Sequence, residues 1–211
     1  FTAVFIEEIA GKKMAAIVKP AVELLAGIPS VIYGLLGIYL LNPLMYKLER
    51  LVFAGSTTHQ YTGGANLLSA VIVLAIMILP TVINVSASAL HAVPKQQRAA
   101  SYAMGASKIQ TIFKVVLPSA RSGIIAAVLL GTGRAIGEAM AVMMVAGNVA
   151  NMPGLFTSVR FLTTAIASEM SYAADGSLQR NALFSIGLVL FIFIMIINGL
   201  LGLVLKKGEE K

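Results

Sequence analysis

The chain has 211 residues, of which 58% are hydrophobic and only 12% charged, with a mean hydropathy of +0.87 and a formal charge of +7. It is far more apolar than a soluble domain of this length and reads as an integral membrane protein. The absence of cysteine excludes a disulfide framework and a thiolate metal site. Two histidines isolated in sequence, His59 and His91, do not make a metal site, and no cofactor is expected. The cationic residues gather at the ends of apolar runs without interleaved aromatics, which fits membrane topology rather than nucleic-acid binding.

In chain order, residues 1–6 read as the tail of an apolar helix that begins upstream, so the expectation is one all-helical transmembrane domain over 1–211, incomplete at its N-terminus. Residues 7–19 are polar and basic, with Lys12, Lys13 and Lys19. The first complete span is predicted over 20–41, with Pro20 near its first turn, where a missing N–H costs little. Pro29 is predicted to kink that helix, and Ser30 to satisfy backbone exposed by the kink. A polar loop, 42–65, holds Lys47, Glu49, Arg50, His59 and the Gly63-Gly64 pair. The second span is predicted over 66–93, kinked at Pro80, with Asn84, Ser86 and Ser88 turned toward other helices rather than lipid.

A third span over 122–147 leads to an external loop, 148–180, too long and polar for a simple turn. Within it, 161–172 has helical spacing, with Leu162, Ala165, Ile166 and Met170 on one face and Thr163, Thr164, Ser168 and Glu169 around the others. It is too short to cross a bilayer and reads as an interfacial or partly re-entrant helix. The fourth complete span is 181–205, followed by a basic tail with Lys206, Lys207 and Lys211.

Between the second and third spans lies a basic island, PKQQRAASYAMGASKIQTIFKVVLP, residues 94–118. Drawn as a helix, it sets Ala99, Tyr102, Ala103, Ala106, Ile109, Ile112, Phe113 and Val116 at spacings of three and four. Gln97, Arg98, Ser101 and Lys108 then lie opposite. Gly105 allows a sharp turn and Pro118 limits the segment, which suggests two short helices joined at a glycine. Composition alone fits a basic amphipathic segment on an anionic membrane surface equally well. The spacing of Ala100, Ser101, Gly105, Val115, Leu117 and Pro118 resembles the EAA loop of ABC-transporter permeases, with Ala99 where glutamate is usual. The resemblance implies a cytoplasmic coupling helix that docks on an ATPase subunit, with Arg98, Ala99, Ala100, Ser101, Gly105, Ala106 and Lys108 in the docking surface.

With that loop in the cytoplasm, Lys12, Lys13, Lys19, Lys95, Arg98, Lys108, Lys114, Arg121, Lys206, Lys207 and Lys211 fall inside, eleven of the sixteen lysines and arginines. Lys47, Arg50, Arg160 and Arg180 fall outside, and Arg134 lies within a span. Such a bias predicts a multi-pass protein of the cell membrane, inner or plasma, with a cytoplasmic C-terminus.

The third span carries Gly131-Thr-Gly-Arg134-Ala-Ile-Gly-Glu138-Ala-Met140. At about 1.5 Å per residue, Arg134 sits roughly 18 to 20 Å from either end of the span, near the membrane midplane. An arginine there costs at least about 3 kcal/mol and has to face protein, water or a partner. Glu138, four residues on, would share its helix face and allow an ion pair, either to neutralise charge within the bundle or to serve a pathway. Gly133 and Gly137 form a small-xxx-small face for close helix approach. No dinucleotide fingerprint is present, because the run follows an apolar helix and its spacing is wrong.

Arg134-Ala-Ile-Gly-Glu138-Ala-Met-Ala-Val142, with residues 23–30 and Val145-Ala-Gly-Asn148, resembles the permease subunits of phosphate-specific ABC transporters, most closely the C-type member of their pair. The resemblance implies an importer permease core and a role for Arg134 and Glu138 in phosphate passage. Its implied partners are ATPase subunits, a second permease subunit, similar or identical, an extracytoplasmic phosphate-binding protein, membrane lipid and inorganic phosphate. The sequence has no Gly-Lys-Ser or Gly-Lys-Thr, so ATP hydrolysis is expected from another chain. A permease for sulfate or molybdate, or a secondary transporter using Arg134 and Glu138 as a relay, stands as an alternative. No nucleophile with a base points to a membrane enzyme.

Overall fold

The computed structural model describes residues 1–209; the side chains of Lys12, Leu201 and residues 204–209 lie outside the described set, and with them the basic tail of Lys206, Lys207 and Lys211. The described residues form helices in this order: α1 (residues 2–9), α2 (Lys12–Ala26), α3 (Ser30–Val52), α4 (Leu67–His91), α5 (Lys95–Ala103), α6 (Lys108–Ser119), α7 (Arg121–Ile136), α8 (Met140–Val145), α9 (Leu162–Glu169) and α10 (Leu178–Glu209). Among them, Ser30–Val52, Leu67–His91 and Leu178–Leu200 are long and apolar enough to cross a membrane. α6 and α7 meet at a 65° bend and qualify only as a pair.

The first span differs from the one predicted. Pro29 does not kink a helix but ends it: Pro29 is extended (φ −58°, ψ 143°) and stands as the cap from which α3 starts. The span therefore shifts from 20–41 to Ser30–Val52, and the first half of the expected loop 42–65 is helical. Pro43 lacks the N–H that would bond four residues back, yet the helix runs on. The turn before it, Gly37–Leu41, is widened into a π turn in which the Asn42 N–H reaches the Gly37 carbonyl. The same device recurs before Pro118, where Ile112–Val116 is a π turn closed by the Leu117 N–H on the Ile112 carbonyl. Pro80, by contrast, sits inside the unbroken helix α4.

The chain divides into two compact units, to both of which α4, α7 and α10 contribute residues. The first holds Phe1–Gly27, Ile78–Gly133 and the segment from Ile196 on. Its core is Ala3, Val4, Ala87, Leu90, Val93, Ile112, Val116 and Ala120. Within it α7 lies close on α4: a Cβ on Gly123 would come 2.5 Å from that of Ala89, and one on Gly131 would come 2.7 Å from Val82 Cγ2. Fully buried Ala127 lies between the two glycines. Close approach thus falls at Gly123 and Gly131, whereas Gly133 faces open space and Gly137 lies beyond the end of α7.

The second unit holds Ile28–Met77 and Arg134–Met195. Here α8 packs on α3, where Gly34 leaves room for Met144 and Gly37 for Val145. The loop chain around 154–159 is tied to the start of α4 by Leu67 N–H to the Thr157 carbonyl (3.0 Å), Leu68 N–H to Leu155 (3.0 Å) and Ser158 Oγ to Ala65 (2.6 Å). α9 buries Thr164 and Ala165 and exposes Leu162, so its inward face is turned from the predicted apolar one. The Thr164 hydroxyl closes the first turn on Phe161, accepting from its N–H and donating to its carbonyl, both at 3.0 Å. Two of the arginines expected outside carry acidic partners: Arg160 pairs with Glu169, and Arg180 with Asp175 at 2.6 Å.

Candidate functional site

The expected third span is not one helix. α7 ends at Ile136, residues 137–139 leave helical geometry, and α8 restarts at Met140. Gly137 weakens the helix, and Glu138 Oε1 accepts from the Ala141 N–H at 3.1 Å, satisfying an amide in the first turn of α8 that has no partner within the helix. The Glu138 carbonyl accepts from Thr163 Oγ1 of α9 at 2.7 Å. Polar groups freed by the break thus have partners inside the protein, the condition under which non-helical backbone survives in a membrane.

This geometry changes the helical placement expected for Arg134 and Glu138. Arg134 remains on α7, two residues before its end and exposed on this chain. Glu138 lies in the break, half-buried, with one carboxylate oxygen committed to α8. The i, i+4 face that would carry a helical ion pair does not extend that far. What sits here is a cation at the end of one half-helix beside an acid that starts the next.

The coupling segment forms two helices, α5 and α6, around Gly105, whose φ of +83° is the left-handed conformation suited to glycine. Ser107 caps α6 in a reciprocal box with Gln110: Gln110 N–H to Ser107 Oγ (3.3 Å) and Ser107 N–H to Gln110 Oε1 (2.9 Å). Ser101 and buried Thr111 share a hydrogen bond at 2.9 Å that pins the two helices together.

The faces are not those of one helical wheel drawn through 94–118, because the glycine turn resets the phase. Ala99, Ala100, Tyr102, Ala103, Ile109 and Phe113 are exposed, and Met104 is 88% exposed. Ile112 and Val116 are buried, Ala106 is half-buried and Lys108 is exposed. Arg98, expected on an outward cationic face, points inward and donates from Nη2 to Glu8 Oε1 and to the Leu90 carbonyl, each at 2.8 Å. The outward surface is consequently greasier than the sequence suggests.

A third cluster was not singled out from sequence. Glu49, at the end of α3, is completely buried. Its Oε1 bonds to His59 Nε2 (2.9 Å) and accepts from the Thr62 N–H (3.0 Å), while its Oε2 accepts from the Thr62 hydroxyl (3.0 Å). Phe53 stacks on His59 with centroids 3.7 Å apart and meets Phe156 edge-on at 5.5 Å. The remainder of the expected polar loop is therefore an ordered knob wound around one carboxylate. The available signal was Glu49 on the helical phase of α3, followed by a His, Thr and Gly-Gly run; no local pattern announces that such residues converge.

The described residues thus form an apolar helical chain with a break at residues 137–139 and a two-helix connection turning at Gly105. A family model described as "Binding-protein-dependent transport system inner membrane component" matches residues 2–207, and the chain belongs to that family. It is 43% identical over 201 residues to "Probable ABC transporter permease protein YqgH" of Bacillus subtilis (strain 168), covering 93% of this chain and 62% of that protein. It is 33% identical over 219 residues to "Phosphate transport system permease protein PstC" of Pasteurella multocida (strain Pm70), covering 99% of this chain and 68% of that one. The chain thus spans roughly two thirds of the length of these relatives, and less than that of the first. Its fold is like that of a chain in an inward-facing MetNI methionine ABC transporter, with a TM-score of 0.65, 20% identity, and 98% of this chain and 84% of that one covered.

Proposed function

We propose that the chain is the membrane-spanning permease subunit of an ATP-driven importer of inorganic phosphate, forming half of the translocation pathway. The observation that carries this is the likeness, at 33% identity over 99% of the chain, to a protein named as a phosphate transport permease. In this reading ATPase subunits dock on the apolar surface of Tyr102, Met104, Ile109 and Phe113, with Ala99, Ala100, Ser101, Gly105, Ala106 and Lys108 shaping it. A second permease subunit, similar or identical, completes the pathway within the lipid. A soluble phosphate-binding protein delivers its cargo to the external loops around 53–66 and 148–180, and the C-terminus is cytoplasmic.

Arg134, a cation near the midplane, supplies positive charge for the passing anion, since a charge held at that depth is costly and marks an ion pathway. Glu138 fixes the start of α8 by accepting from the Ala141 N–H and, as a nearby negative charge, keeps the anion from binding too tightly to leave. The test is uptake of labelled phosphate into vesicles holding this chain, its permease partner, the ATPase and the binding protein, with sulfate and molybdate as competitors. Phosphate uptake that requires ATP and resists both competitors is the expected result. Arg134→Gln is expected to lower uptake at least about a hundredfold, the order of one charge-assisted contact or two, with assembly intact. Block by sulfate or molybdate would move the substrate to another oxyanion, and transport without the ATPase would overturn the whole reading.

A further inference from the structure

We propose that Arg98 is a positioning residue that ties the coupling helices to α1, so that movement of α5 is delivered to the membrane helices through an Arg98–Glu8 strut. The inference rests on the reading of 94–118 as the ATPase-docking segment and adds the route by which its motion leaves that segment. Three observations carry it.

Arg98 is the one cation of α5 that turns inward: Lys95 is exposed, whereas the Arg98 side chain is only 22% exposed and that of Glu8 11%. The two meet at 2.8 Å across ninety residues of chain, in a setting dry enough for a charged pair to be stiff. The same Nη2 also donates to the Leu90 carbonyl, in the last turn of α4, where helix carbonyls lack partners within the helix. One guanidinium therefore holds α1, the end of α4 and α5 together.

The neighbouring acid does not compete for this role. Glu7 is engaged by Lys19 Nζ at 3.3 Å and by His91 Nδ1 at 3.2 Å. Each of the two adjacent acids of α1 thus has its own cation, and Arg98 belongs to Glu8. α1 is otherwise anchored by Ala3 and Val4 in the same core as Leu90, Ile112 and Val116. A pull on α5 reaches α1 through a packed core and one directional charged contact. The core is non-directional, while the charged contact specifies which residue follows which.

The test uses the assembled complex of full-length chain, permease partner, ATPase and binding protein, with phosphate uptake and ATP hydrolysis read in the same vesicles. Arg98→Gln and Glu8→Gln are each expected to co-purify with the ATPase at the wild-type yield and to hydrolyse ATP, while phosphate moved per ATP falls at least about tenfold. Arg98→Lys, which keeps the charge but not the reach and planar geometry that bring Nη2 to both Glu8 and the Leu90 carbonyl, is expected to fall in between. The exchanged pair Glu8→Arg with Arg98→Glu is expected to recover uptake to within about threefold of wild type.

Because the chain has no cysteine, Glu8→Cys with Arg98→Cys offers a control within one preparation. Uptake is expected to be low with free thiols and to return when a short bis-maleimide bridges them, each thiol adding across one maleimide double bond to give a thioether. Glu8→Gln that transports like wild type, an exchanged pair no better than the single variants, or a bridge that fails to restore uptake would each overturn the strut. Loss of ATPase binding in Arg98→Gln but not in Glu8→Gln would assign Arg98 to the docking surface instead and overturn it too. A wild-type complex silent in both hydrolysis and uptake would bring down the proposed function, and the strut with it. An active wild type with an equally active Glu8→Gln would bring down the strut alone.

Discussion

Replacing Glu49 removes the acceptor that His59, the Thr62 amide and the Thr62 hydroxyl share. Hydrogen bonds to a charged group contribute about 1.5 to 3 kcal/mol each, so three of them amount to roughly 5 to 9 kcal/mol before the burial cost of the carboxylate is returned. Breaking a buried charged cluster by deleting one member typically costs about 3 to 5 kcal/mol net, the value expected for Glu49→Ala. Glu49→Gln keeps Oε1 for the Thr62 amide and His59, and its new amide donates to the Thr62 hydroxyl oxygen. It forfeits only charge assistance, about 1 to 2 kcal/mol. Hydrogen exchange at the Thr62 amide in lipid nanodiscs separates the two variants. A loss of about 3 kcal/mol raises local opening more than about a hundredfold, whereas the glutamine variant raises it about tenfold. Equal exchange in both variants, or no change at Thr62, would refute the idea that one carboxylate organises this knob.

Gly63 and Gly64 both have positive φ, +66° and +84°, but only Gly64 lies against backbone, where a Cβ would collide with the Asn42 carbonyl. Gly63→Ala is expected to cost about 1 kcal/mol and to melt close to wild type, whereas Gly64→Ala should fail to accumulate as folded protein. At the close approach of α7 to α4, Gly131→Val is expected to cost about 1 to 3 kcal/mol by overpacking against Val82. Gly133→Ala, facing open space on the same helix, should be neutral or stabilising by up to about 1 kcal/mol; thermal denaturation of the two variants side by side checks this. Thr163→Val leaves the Glu138 carbonyl without its donor and is expected to cost about 1 to 3 kcal/mol, with Thr163→Ser near wild type. Equal melting of the valine and serine variants would show that the hydroxyl does not hold the break.

Much of this architecture is legible in the residues because it depends on local chemistry. The turn at Gly105 follows from a glycine between two helical stretches, and its left-handed φ is what such a residue permits at little cost. The short helix at 161–172 appears as α9 because its spacing is helical and its length too small to span. Pro29 and Pro43 are harder. A proline inside an apolar run kinks, ends or is absorbed by a helix according to whether neighbouring turns can widen, and no local signal distinguishes Ile28-Pro29, which breaks, from Asn42-Pro43, which a π turn accommodates.

The sequence by itself determined that the chain is a helical membrane protein, where its apolar runs lie, and that Arg134, Glu138 and the 94–118 island are its unusual features. Those conclusions rest on solvation, which each residue carries with it. Tertiary structure alone decided how those features are joined. The break at 137–139 depends on Thr163 and the Ala141 amide being present to satisfy what an unbroken helix would have satisfied itself. The inward turn of Arg98 depends on Glu8, ninety residues away, and the order of the knob after α3 on Glu49 meeting Thr62. Hydrogen bonds and charge pairs act over about 3 Å, and which groups come within that reach is set by packing between distant segments rather than by the spacing along any one of them.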